Sequence, residues 1–279
     1  MPNGRKPNIA LMLGSAPDVM RCKLWPREPF RTIVAINNAW LVRPDYDYLV
    51  HAGDFSQDRL PTGNEVKFAS IVSASDYVPA QNAFGGFVYA GGTMAFTTAY
   101  WVIHRLKPKV LAFLGCDMVY DSANGSTHFY GNGTPDPLRR DVTLQSLEAK
   151  SARLFVHGIR NGTLCVNLSR LPASRLILPR VDVGSLNTMS EYSADLSRKS
   201  YEEEIDDASE NAAKQLEQWL GYFVADGRYW EQSHRFDTNS LRQLDEFWLS
   251  AVRKILTAEF TVRRDPEGLL KAQAGGDAA

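Results

Sequence analysis

Short unbroken apolar runs, each closed by small or polar residues, recur through the first two thirds of the chain and alternate with segments of helical period. The first is Ile9-Ala10-Leu11-Met12-Leu13, which stops at Gly14-Ser15-Ala16-Pro17-Asp18. A continuous apolar run suits a parallel strand covered on both faces, and Gly14 leaves room for the backbone to approach a phosphate or a sugar. An ordinary strand-to-helix turn accounts for the same residues, because one glycine is far less specific than a full G-x-G-x-x-G fingerprint.

Thr32 to Asn37 reads as a second strand, Tyr48 to His51 with Gly53-Asp54 behind it as a third, and Ser70 to Ala74 as a fourth. From Thr93 the segment MAFTTAYWVIHRL has helical length without Gly or Pro. Lys107-Pro108-Lys109 ends it, and VLAFLGCD follows as a strong apolar strand. A loop rich in Gly, Asn, Ser and Pro runs from Asp121 to Arg140, before a helix from Thr143 to Gly158 and a strand from Leu164 to Leu168. This alternation predicts an α/β fold with a doubly wound, mainly parallel sheet whose ligands lie at the carboxyl ends of the strands. Gly14, Asn37, Asn38, Gly53, Asp54, Asp117 and the 121–140 loop would then converge on one crevice.

Beyond residue 185 the pattern changes. Glu202 to Glu204, Asp206, Asp207 and Glu210 open a polar helical stretch with Leu216, Trp219, Leu220 and Phe223 at helical spacing. A further helix over Ser240 to Phe260 gathers Leu241, Leu244, Phe247, Trp248, Ala251, Val252 and Leu256 on one broad face, as expected for packing on a neighbour or a dimer mate. The division expected is a nucleotide-binding unit over 1–184 and a helical appendage over 185–279, serving as lid, dimer surface or anchor. Residues 271–279 are small and polar and are expected to fray.

Composition narrows the partners. The 279 residues carry 31 Lys and Arg against 32 Asp and Glu, a net charge of -1 that supplies no field to attract nucleic acid. Cys22, Cys116 and Cys165 are an odd set without CxxC spacing and read as reduced, buried thiols. The start of the chain lacks a secretory pattern, which points to the cytoplasm. Tyr77 to Ile103 is uncharged, yet its prolines and glycines break any membrane span and favour a loop feeding a buried helix. Contact with a membrane surface, or pairing of two copies through the C-terminal helices, stays open.

For chemistry, the segment Gly125 to Asp136 sets His128 and Tyr130 among hydroxyls and glycines. An imidazole titrates near neutral pH and can take a proton from an attacking hydroxyl, while a phenol and backbone N–H groups can hold a leaving phosphate. A surface or structural histidine is the plain alternative. His51, His104, His157 and His234 have weaker claims, and no His/Cys cluster has metal-ligand spacing, so no metal ligand is assigned. Asp54 and Asp117 each close a strand, where a carboxylate binds a ribose hydroxyl, Mg2+ or an amine, or merely caps the turn. Asn37 and Asn38 offer amide contacts or a helix cap. The G-x-S-x-G elbow and the G-x-x-x-x-G-K-[ST] loop are both absent from the sequence.

Taken in order, GSAPD (14–18), INNAW (36–40), AGGTMAFTTAYWVI (90–103), LAFLGCDMVY (111–120) and HFYG (128–131) resemble a group of Rossmann-like proteins. It includes the bacterial sialyltransferases that use CMP-sialic acid and the hydroxymethylpterin diphosphokinase-like proteins. The resemblance spans roughly residues 8 to 170 through short motifs, so their order and spacing carry it. It implies a nucleotide bound across Gly14, Ser15, Asn38, Gly92, Thr93 and Asp117, with Tyr130 on the phosphate. The chain departs from the pattern at Ala16 and Asp18 in the first turn, and at Asn132, where the sialyltransferases place a histidine. The expectation is a transferase acting on a nucleotide-activated sugar, with His128 as base and no tightly bound cofactor. A Mg2+-dependent diphosphokinase using Asp54 and Asp117, and a non-catalytic binding or assembly protein on the same fold, are the alternatives.

Overall fold

The structure, a computed structural model, describes residues 5–62, 69–120, 126–131 and 141–256. Strand β1, Ile9–Leu13, is buried at every position, as its unbroken apolar run requires. It lies near the middle of a six-stranded sheet with β2 (Thr32–Ile36), β3 (Tyr48–Val50), β4 (Ser70–Val72), β5 (Val110–Leu114) and β6 (Leu164–Asn167). The order is β4-β3-β2-β1-β5-β6 and every pairing is parallel. Chain order runs outward from β1 to β4 and then returns to β1's other side as β5. The reversal point of this doubly wound, Rossmann-like sheet therefore lies between β1 and β5, the place where such sheets open a crevice.

The helices cover both faces. They are α1 (Ala74–Asn82), α2 (Phe87–Ala90), α3 (Met94–Arg105), α4 (Leu147–Arg160), α5 (Val183–Thr188), α6 (Glu191–Glu204), α7 (Asp207–Leu220) and α8 (Thr238–Ala251). The uncharged stretch read as a loop before a helix is instead three helical pieces broken at Gly85-Gly86 and Gly91-Gly92, with φ between +87° and +89° at Gly85, Gly86 and Gly91. Pro17 starts a 3-10 turn over Pro17–Leu24 that the sequence pattern does not reveal. The helix expected from Thr143 opens as a 3-10 turn, and α4 begins only at Leu147, capped by Ser146.

The C-terminal helices are sealed onto the α/β half through ionised groups. Arg153 of α4, 1% exposed, makes a two-pronged pair with Glu217 of α7 at 2.7 and 2.8 Å, and donates to the Tyr100 hydroxyl and the Phe84 carbonyl. Trp248 Nε1 of α8 donates to the same Glu217 carboxylate at 2.9 Å. Lys150 and Asp245 form a second pair at 2.8 Å, both buried. The polar stretch foreseen around 202–223 divides at Ile205-Asp206 into α6 and α7. Its supposed apolar stripe is only partly inward: Leu216 and Leu220 pack on the core, whereas Trp219 is 78% and Phe223 49% exposed. On α8, by contrast, Leu241, Leu244, Trp248 and Ala251 are buried as the periodicity predicts. Residues 257–279 lie outside the described part of the chain. Among the described residues no helix is long and apolar enough to cross a membrane.

Candidate functional site

Backbone crowding defines the reversal point. The Gly14 N–H donates to the Leu114 carbonyl and the Ala16 N–H to the Gly115 carbonyl, at 2.8 and 2.9 Å, so the turns after β1 and β5 lie against each other. A Cβ on Gly14 would collide with the Gly115 carbonyl oxygen and stand 2.7 Å from Cys116 Sγ. Packing of two strand ends alone demands glycine here. All three cysteines are buried free thiols, and burial raises the pKa of the Cys116 thiol.

The His128 segment is docked on this turn. The Phe129 N–H donates to the Ser15 carbonyl at 2.9 Å, while His128 and Gly131 exchange backbone hydrogen bonds of 3.0 Å and close a tight turn. His128 is 6% exposed. Its Nδ1 lies 2.8 Å from the Thr127 hydroxyl. Its ring stacks on Tyr130, centroids 5.0 Å apart, and lies 5.6 Å from the Tyr120 ring. Desolvation lowers the imidazole pKa, so the ring is neutral at pH 7. The Thr127 hydroxyl at Nδ1 and the rings of Tyr120 and Tyr130 hold the imidazole, and in the tautomer whose Nδ1 proton is donated to Thr127 the basic nitrogen is Nε2.

Asp117 is wholly buried beyond the end of β5, and neither carboxylate oxygen has a hydrogen-bond partner among the described residues. Burial raises its pKa, reinforced by Asp18, against the opposing pull of the Ser169 and Ser174 hydroxyls and of Arg180. Its backbone carbonyl accepts from the Arg175 N–H at 2.8 Å. Asp117 thus sits beneath the segment that follows β6. Met118 beside it has φ of +53°, a left-handed conformation unusual for methionine.

Thr93 caps α3, its hydroxyl accepting from the Phe96 N–H at 3.3 Å and lying 3.8 Å from Met118 Sδ. That contact brings the α3 amino end beside β5. Gly92 precedes it, and a Cβ there would strike the hydroxyl of Tyr229, which donates to Asp141 Oδ2 at 2.6 Å. Asn38 is buried in the 3-10 turn after β2. Asn37 is committed to the scaffold: at φ of +48° its side-chain oxygen accepts from the Ala52 N–H at 3.0 Å. Ser15, Thr93, Asp117 and His128 therefore share the reversal end of the sheet. Asp54, exposed after β3, does not join them, since three strand spacings, about 14 Å, separate β3 from β5. Among the described residues no three His, Cys, Asp or Glu side chains cluster to hold a metal. Asn132 and Asp136 lie outside the described residues.

Thr127 was only one hydroxyl among several in the sequence, Tyr120 was only the last residue of a quoted strand segment, and nothing there singles out Asp141 or Tyr229. A cavity of about 460 Å³ among Phe84, Ile103, His104, Lys107 and Asn161 lies at the opposite, amino edge of the sheet, away from these groups. No protein-family model, curated protein or solved structure matches this chain.

Proposed function

We propose that this chain is a nucleotide-dependent transferase acting on a nucleotide-activated sugar, of the kind its resemblance to the CMP-sialic acid-using enzymes implies. The observation that carries the reading is the imidazole of His128: neutral, hydrogen-bonded at Nδ1 to Thr127, packed against the rings of Tyr120 and Tyr130, and set in a turn whose Phe129 N–H docks on the Ser15 carbonyl at the sheet's reversal point. In this reading Nε2 takes the proton of an acceptor hydroxyl as its oxygen bonds to the anomeric carbon. The bond from that carbon to the phosphate oxygen breaks, and the electron pair leaves with the nucleotide. Tyr130, 45% exposed, donates a hydrogen bond to the departing phosphate, and Gly14, Ser15, Asn38, Gly92, Thr93 and Asp117 form the nucleotide side. The separation of Asp54 from Asp117 disfavours the metal-dependent diphosphokinase alternative in the form that uses both carboxylates.

A thermal-shift screen of CMP, CDP, UDP, GDP and ATP, with and without Mg2+, tests the reading, because a ligand of the folded state raises the melting temperature by mass action. A metal-independent shift with a cytidine nucleotide supports it. A shift with ATP only in the presence of Mg2+ transfers the assignment to phosphoryl transfer, and no shift with any of them favours a binding protein.

A further inference from the structure

Arg170 is held by its backbone on three sides while its side chain has no partner among the described residues. Its N–H donates to Asp18 Oδ2 at 3.0 Å. Arg180 brackets it by donating to the carbonyls on either side, those of Ser169 at 3.3 Å and of Leu171. The exposed guanidinium itself makes no hydrogen bond or ion pair among the described residues. It lines a cavity of about 330 Å³ at the carboxyl rim of the sheet, with Arg21, Trp25, Asp182 and Val183. Arg21 is fixed there as well: one of its nitrogens binds Asp18 at 2.9 Å and the Leu168 carbonyl at 3.1 Å, and the guanidinium lies over the Trp25 ring at 5.4 Å. The two nearby carboxylates are already engaged, Asp18 by Arg21 and the Arg170 N–H, and Asp182 by the backbone and hydroxyl of Ser185.

We infer that this cavity is an oxyanion site for a small phosphomonoester, with the free Arg170 guanidinium and the remaining Arg21 nitrogens on the phosphate and Trp25 beside the organic part. Guanidinium groups match the oxygens of a phosphate in planar, two-pronged fashion, and the cavity has room for a phosphate with a small substituent. Asp18 is offset by its ion pair with Arg21, and the ionised Asp182 on the rim disfavours a larger polyanion, so the Arg170 guanidinium is the positive group that a small phosphate meets. His128 is not among the residues lining this cavity, and the inference does not depend on the transferase reading.

Calorimetric titration of the full chain with phenyl phosphate and with inorganic phosphate, at constant ionic strength, tests it. Saturable binding is expected, tighter for phenyl phosphate. It should weaken by about tenfold or more in Arg170→Ala, be partly retained in Arg170→Lys and be unchanged in His128→Ala. Arg170 is exposed, so its replacement leaves the fold intact, and an unchanged melting temperature verifies this. Absence of saturable binding, or binding that survives Arg170→Ala undiminished, overturns the inference. Loss in His128→Ala instead would place the phosphate in the other site and overturn it equally.

Discussion

The hydroxyl of Tyr229 occupies the space in which Gly92 would carry a Cβ, and from there it donates to Asp141 at 2.6 Å. The C-terminal region is thus wedged against the amino end of α3, beside residues expected to meet the nucleotide. Gly92→Ala should cost about 1–3 kcal/mol through overpacking. Tyr229→Phe should cost about 1.5–3 kcal/mol through the lost bond to a carboxylate. In the double variant the alanine gains the room the hydroxyl vacates, so denaturant unfolding should show a loss smaller than the sum by at least about 0.5 kcal/mol. Strict additivity would mean that the two residues do not compete for one space.

His128→Ala should leave nucleotide binding by thermal shift in place while lowering transfer about 100-fold to 10,000-fold, the usual contribution of a positioned base. Thr127→Val removes the partner of Nδ1 but not the base. Its transfer rate should fall at least about tenfold and recover in Thr127→Ser, because a small misalignment of reacting groups is costly. Equal activity of the valine and serine variants would show that the Thr127 contact is structural.

Arg153→Met leaves Glu217 buried without its partner and should destabilise the protein by about 3–5 kcal/mol. Since Glu217 also accepts from Trp248, the loss should reach both halves of the molecule together. Tryptophan fluorescence and far-ultraviolet circular dichroism should then report one shared transition at lower denaturant. Two separated transitions would indicate that the C-terminal helices fold independently.

His157 lies among the rings of Phe84, Tyr100 and Trp248, with Nε2 buried and without a hydrogen-bond partner among the described residues. Burial, helped by Arg153 and Lys214, holds its pKa well below the ordinary 6.5, and burial lowers that of His128 too. Both rings bind protons more readily in the unfolded chain. Stability is therefore full above about pH 6.5 and declines as the pH falls below it. Thermal unfolding from pH 7.5 to 5 should show this decline. His157→Phe should flatten it and cost little at pH 7.5, because it removes an unpartnered polar atom. An unchanged slope would assign the acid sensitivity to other groups.

The sheet was legible because burial on both faces imposes unbroken apolar runs: β1, β2, β3, β4 and β6 appear in the sequence within a residue or two of their observed ends, and β5 stops at Leu114, three residues before the expected Asp117. Gly14 was read as room for a ligand and Gly92 as a nucleotide contact, but sequence cannot say what approaches a glycine. At Gly14 the neighbour is the Gly115 carbonyl, and at Gly92 it is a tyrosine from a segment more than a hundred residues later. The same limit hid the outward direction of Trp219, since helical spacing defines a stripe and not what the stripe faces.

By itself, then, the sequence determined the parallel α/β architecture, the buried reduced cysteines and a histidine set between hydroxyl and phenol. Those properties follow from local periodicity and side-chain chemistry. Only the tertiary structure decided that Asp117 and His128 gather at the reversal point while Asp54, at the same carboxyl end of the sheet, stands three strands away. Strand order, which no local pattern encodes, placed the reversal between β1 and β5 and left two strands between β3 and β5. It also decided that Arg153, Glu217 and Trp248 join the C-terminal helices to the rest, because a charge is buried only where a partner from elsewhere in the chain arrives to meet it.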